Sequence, residues 1–243
     1  RRQALVEELL GHDDLAVPVA RLVVSFLLEE DQPAIARTVV EGALRKAPDQ
    51  SMLHYELGRA CLSLDDTASA GVAFRRALEL DLPQHLHVQA NRMLRMSLVP
   101  GLWHGTQIVE TAIAEGDLGA ALGAVRALVR RVGPVAEAWL MFGIVQHKLG
   151  KMRRAERLLR RSVRYCEDCA EAHNRLGIVL LQSGRVQDGC VHLKKAHQLS
   201  PRDTSTLLHL AQATALGGHL EDAEEHIRVA EELGADPQLL QAV

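Results

Sequence analysis

Few residues in this 243-residue chain combine the type and spacing that chemistry needs. The most suggestive string is Cys166-Glu167-Asp168-Cys169-Ala170-Glu171-Ala172-His173. Its Cys-x2-Cys-x3-His spacing offers three donors that zinc accepts, with Cys190 and His192 further along the chain. It is only half of a finger signature, and it lacks the Cys-His pair of haem attachment. The structural alternative puts His173 in a helix interface and the cysteines in loop and core, so Cys166, Cys169 and His173 rank below that reading and no cofactor is expected. A Gly-rich phosphate loop with Lys-Ser/Thr, a Gly-x-Ser-x-Gly elbow and a His-Glu-x-x-His helix are all missing from the sequence. Catalysis is therefore not expected of this chain.

Charge is more informative. Between Arg126 and Tyr165 eleven Lys/Arg face only Glu137 and Glu156, so this stretch carries +9 and the remainder −12. Arg153, Arg154, Arg157, Arg160, Arg161 and Arg164 crowd one short segment. They form either a solvated face or a basic ridge for an acidic protein, an anionic membrane surface or nucleic acid. No aromatic side chains alternate with these arginines, which disfavours stacking of single-stranded bases.

The elements that carry these residues follow from composition. Leu (39) and Ala (32) dominate while aromatics make up 3%, which favours helices and argues against a β-sandwich or barrel. Apolar residues at 47% suffice for a core, and a net charge of −3 exerts no global pull toward polyanions. Four cysteines are too sparse for a disulfide scaffold, and the first residues are broken by Glu7 and Glu8, so a cytoplasmic location is expected. The absence of an initiator Met suggests a piece of a longer, multidomain protein, in which this segment could be a regulatory or sensor domain.

The chain repeats itself. Ala136-Glu137-Ala138-Trp139-Leu140-Met141-Phe142-Gly143 aligns with Ala170-Glu171-Ala172-His173-Asn174-Arg175-Leu176-Gly177 at an offset of 34, and Gly150, Gly184 and Gly218 follow in step. Leu57-Gly58, Ala70, Phe74 and Ala77 keep the same phase in an earlier unit. A 34-residue helix–turn–helix period with these residues resembles the tetratricopeptide repeat family. The resemblance implies an all-α, right-handed superhelical solenoid of about six units, at 17–50, 51–84, 102–135, 136–169, 170–203 and 204–237. One extra helix with its linker, 85–101, separates repeats one and two (17–84) from repeats three to six (102–237). Residues 1–16 would cap the front, and 238–243 would begin a further helix. Small residues (Gly58, Gly143, Gly177, Ala211) should sit where paired helices approach closely, with Phe74, Leu159, Leu193 and Ile227 filling the space between. Val24 replaces the small residue in the first unit, so that pair should pack loosely or at another angle.

The same resemblance implies that the first helix of each unit lines a concave groove. Its phased positions include Tyr55, Arg59, Leu140, Ile144, His147, Asn174, Ile178, Leu181, Leu208 and Gln212. Leu140, Ile144, Ile178, Leu181 and Leu208 would then face solvent as an apolar stripe that binds a protein or peptide partner, or a second copy of the chain. The Lys-plus-Asn clamp that grips C-terminal carboxylates in chaperone adaptors is not reproduced by Asn174 alone. The sequence thus points to a non-enzymatic scaffold with a partner groove in repeats four to six, and membrane or nucleic acid binding by the ridge as the alternative. Cutting between Pro100 and Gly101 should leave 102–243 folded and 1–100 marginal, as nearest-neighbour stabilisation favours the longer array. Thermal melts of the two pieces check this, with equal midpoints counting against it.

Overall fold

The computed structural model describes residues 17–235; the expected front cap (1–16) and the last segment (238–243) lie outside the described residues. Thirteen helices occupy these residues. They are α1 (Val17–Glu29), α2 (Pro33–Lys46), α3 (Ser51–Ser63), α4 (Thr67–Glu79), α5 (Gln84–Ser97), α6 (Leu102–Ala114), α7 (Leu118–Val132), α8 (Ala136–Lys148), α9 (Met152–Tyr165), α10 (Ala170–Gln182), α11 (Val186–Leu199), α12 (Thr204–Leu216) and α13 (Leu220–Glu232). None is long and apolar enough to cross a membrane. The chain divides into two compact units, Arg1–His104 and Gly105–Val243, within the first turn of α6.

Tight turns produce the pairs. Two residues before each second helix begins the backbone turns left-handed: Asp31 and Asp65 with φ of 55° and 58°, then Gly116, Gly150, Gly184 and Gly218 with φ of 71–83°. Glycine takes this conformation without steric cost, and aspartate tolerates it better than most residues. Asp31 was not singled out by the sequence pattern, yet it occupies the same turn. Asp66 and Asp117 then cap α4 and α7 by accepting hydrogen bonds from the Ser69 and Ala120 amides at 3.1 and 2.8 Å.

In three pairs, α3/α4, α8/α9 and α10/α11, the helices meet at a glycine. A methyl group built on Gly58 would stand 2.7 Å from the Phe74 ring, and on Gly143 or Gly177 it would stand 2.6 Å from Leu159 or Leu193. Gly189, where alanine is usual, lies opposite Gly177: a methyl there would be 3.0 Å from the Gly177 carbonyl, so the exchange permits closer backbone approach. The pair α6/α7 reaches the same end with sizes exchanged. Its contact is Gly105 against Leu128, one turn away from the others, and Val109 is fully buried at the usual small position. Val24 is likewise completely buried, in a cluster with Val39, Val40 and Ala60. α5 packs on α4, with Ser97 filling the space above Gly71.

First helices also touch one another. α1 meets α3 in the first unit, while α8 meets α10 and α10 meets α12 in the second. In the second unit α8 and α10 are accordingly buried on most faces: α10 buries ten residues, from Ala170 to Leu181, while α1 keeps Leu22 and Phe26 exposed. Second helices bury only one stripe, as in α9 with Ala155, Leu159 and Ser162. Two substitutions separate close approach from simple helix propensity. Gly143→Ala should destabilise by about 1–3 kcal/mol through overpacking against Leu159. Gly123→Ala, in open space on α7, should stabilise by about 0.5–1 kcal/mol. Denaturant titration reads both signs.

Candidate functional site

The arginines predicted as a ridge lie on α9. Its alanine, leucine and serine stripe faces the core, which leaves Arg153, Arg154, Arg157, Arg161 and Arg164 exposed and Arg160 partly so. Glu156 is the helix's one acid, and it accepts from Arg160 at 2.9 Å and from Arg185 at 2.7 Å. Burial pushes this carboxyl up, but the two guanidinium partners outweigh it and hold it below its usual value. Arg161 lies 4.7 Å from the centre of the Trp139 ring, a cation–π contact. Arg126, Arg154, Arg157 and Arg164 have no carboxylate partner among the described residues.

These side chains border a cleft of about 790 Å³. Arg126 of α7 and five α9 arginines line it together with His192 of α11, and Phe142, Leu158, Val163 and Leu176 supply apolar lining. Gln146, only 2% exposed, also lines it, and its side-chain oxygen has no hydrogen-bond partner among the described residues. The cleft escaped the sequence pattern because its lining comes from five helices. A crevice of about 590 Å³ in the first unit also borders arginines, but there Arg37 binds Glu41 and Asp66, and Arg76 binds Asp49 and Glu79. Arg75 is the crevice's one arginine without a carboxylate partner among the described residues, whereas the second-unit cleft gathers Arg126, Arg154, Arg157 and Arg164 in that state, and free guanidinium groups bind carboxylate or phosphate well.

The apolar stripe is corrected by the structure. Leu140, Ile144, Ile178, Leu181 and Leu208 are 0–8% exposed and therefore core. Leu140 and Ile144 pack with Val109, Ala112 and Leu176; Leu181 packs with Leu193 and Leu210; Leu208 packs with Leu207 and Ala230. The physical reason is that neighbouring first helices pack side by side, so the face expected to look into solvent meets the next helix. Glutamate at Ile144 and Ile178 would bury charge and unfold the second unit. Tyr55 is buried too, edge-on to Phe74 at 5.9 Å, and burial pushes its hydroxyl up to about 12. Arg59 pairs with the buried Glu56 at 2.9 Å. His147 bonds Gln182 at 2.6 Å, Asn174 is buried with an unpartnered oxygen, and Gln212 is exposed.

The Cys/His string also resolves differently from a metal site. His173 engages both ring nitrogens, Nε2 with the Glu167 carbonyl at 3.1 Å and Nδ1 with His192 Nδ1 at 3.0 Å. Nε2–H must donate to the carbonyl, so the neutral His173 accepts at Nδ1 from His192. No group of three metal donors, including Cys166 and Cys169, comes together among the described residues. Burial holds both histidines below their ordinary value; the Glu167 bond opposes this at His173, while at His192 the neighbouring His173 and Arg160 reinforce it. The unfolded chain takes up protons near pH 6.5 where the folded chain does not, so unfolding binds protons and stability falls on acidification. The melting midpoint should drop between about pH 7 and 5. His173→Gln with His192→Gln should weaken that slope without abolishing it, because burial holds His209 and His226 low as well.

Known proteins give this geometry a context. Comparison with curated proteins finds no match. Among solved structures, PilW, a widely conserved type IV pilus biogenesis factor, superposes with TM-score 0.52 at 15% identity, covering 93% of this chain and 97% of that one. The APC/C hetero-tetramer Cut9-Hcn1 gives TM-score 0.55 at 13% identity, over 98% of this chain and 50% of its counterpart. YrrB, described as a TPR protein with an unusual peptide-binding site, gives TM-score 0.49 at 17% identity over 84% of this chain and 96% of that chain. The first two identities carry fold alone. The tetratricopeptide repeat model matches residues 27–82, 106–164 and 140–189, more than half of the sequence. With its paired helices and their recurring left-handed turn, the chain belongs to the tetratricopeptide repeat family.

Proposed function

We propose that this chain is a non-catalytic scaffold that holds an acidic peptide segment of a protein partner in the arginine cleft of α9. Tetratricopeptide repeat proteins typically mediate protein–protein interaction. The observation that carries the choice of face is the cleft itself, where unneutralised guanidinium groups ring an apolar floor. Such a site suits an extended or helical segment that alternates carboxylates with apolar side chains. The apolar floor favours such a peptide over nucleic acid, and the concave form favours it over a flat anionic membrane. In this reading the paired helices of each unit are tetratricopeptide repeats, with α5 following the second pair, and the unbridged cysteines suit the cytoplasm.

Fluorescence anisotropy with a labelled Glu/Leu peptide tests the proposal. Binding should weaken on the order of tenfold from low to moderate salt. Arg157→Glu with Arg161→Glu should abolish it, whereas Arg130→Glu with Arg131→Glu, away from the cleft, should retain most of it. Equal affinity of both variants would overturn the assignment, as would tighter binding to an anionic vesicle or an oligonucleotide.

A further inference from the structure

We infer that α13 of a second copy of this chain occupies the α9 cleft, which rests on reading the cleft as a peptide site. The argument is complementarity within one sequence. Over Leu220–Glu232 six carboxylates accompany a single arginine. Arg228 binds Glu225 at 2.6 Å and Glu232 at 2.8 Å, which leaves Glu221, Asp222, Glu224 and Glu231 without a cation partner among the described residues. Glu221 and Asp222 also stabilise the first turn through the helix dipole, but Glu224 and Glu231 lie beyond its reach.

The match extends past charge. Leu220, 64% exposed, stands at the start of α13, and Leu216, 60% exposed, ends α12 just before the turn. The cleft offers Phe142, Leu158 and Val163 beneath its arginines, so an acidic helix with an exposed leucine at its start fits both parts of it. Spacing agrees too. Arg154, Arg157, Arg161 and Arg164 recur at intervals of three and four along one side of α9; on α13 the same phase carries Glu221, Glu224 and Glu231, with Arg228 at the remaining position, where Glu225 and Glu232 neutralise it. Within one chain α9 packs on α8 and α10 while α13 packs on α12. The acidic helix therefore reaches a cleft only on another molecule. The two faces differ, so the contact is head-to-tail and adds copies in a row or a ring.

Sedimentation velocity of the 243-residue chain tests this. The average mass of the wild type should rise with concentration at low salt and return to monomer at high salt. Arg157→Glu with Arg161→Glu should stay monomeric, and so should Glu221→Lys with Glu224→Lys, each with wild-type helicity by circular dichroism. Mixing the two variants should restore association, since each then meets an opposite charge on the other. A wild type that stays monomeric at every concentration, or a mixture that does not associate, overturns the inference. If the wild type is monomeric yet the Glu/Leu peptide still binds, only the identity of the occupant is wrong. If the peptide fails as well, the cleft reading falls with it.

Discussion

The distance between paired helices governs this protein. Helix axes normally lie 8–10 Å apart, set by the side chains at the contact. Here one residue of each close pair is small enough for a bulky neighbour to enter: Phe74 over Gly58, Leu159 over Gly143, Leu193 over Gly177. The bulky side chain closes the gap that the missing side chain opens, so packing density is kept without strain. In α6/α7 the glycine and the large residue shift by one turn, and the pair still closes. What is preserved is volume at a point of contact, whichever helix supplies it.

That closeness sorts the charges. The first helices α8, α10 and α12, pressed between their own partners and neighbouring first helices, have little wet face and carry few ionised groups. Second helices keep one side in solvent and collect most of the charge. Two outcomes follow on that side. Around Arg37 and Arg76 acids answer the arginines, and the result is a network of modest surface ion pairs. Around Arg157 and Arg164 no acids answer, and the cleft retains a field that a ligand can use.

Much of this was legible beforehand, and the exceptions have physical causes. The period, the turn glycines and the small-against-large pairs are local patterns, readable because each lies within about 34 residues. The stripe at Leu140, Ile144 and Ile178 was misread because register shows which face a helix turns from its own partner, but not how near the next pair sits. The sequence did hold a warning. Between Ala136 and Val145 only Glu137 is charged, and a helix without a polar side has no surface to give to water. The cleft escaped because Arg126, Phe142, Leu158, Leu176 and His192 come from five separate helices, and only folding assembles them.

The dryness of the first helices has a consequence for how such a chain can change. A residue locked between three neighbours cannot be exchanged without disturbing all of them, so α8 and α10 leave little room for variation. The solvent side of a second helix is held by nothing but water. Arg154 or Arg157 could give way to another residue with little effect on the scaffold. The charge around the cleft can thus be rewritten on α9 while α8 and α10 stay as they are, supplying its floor through Phe142 and Leu176.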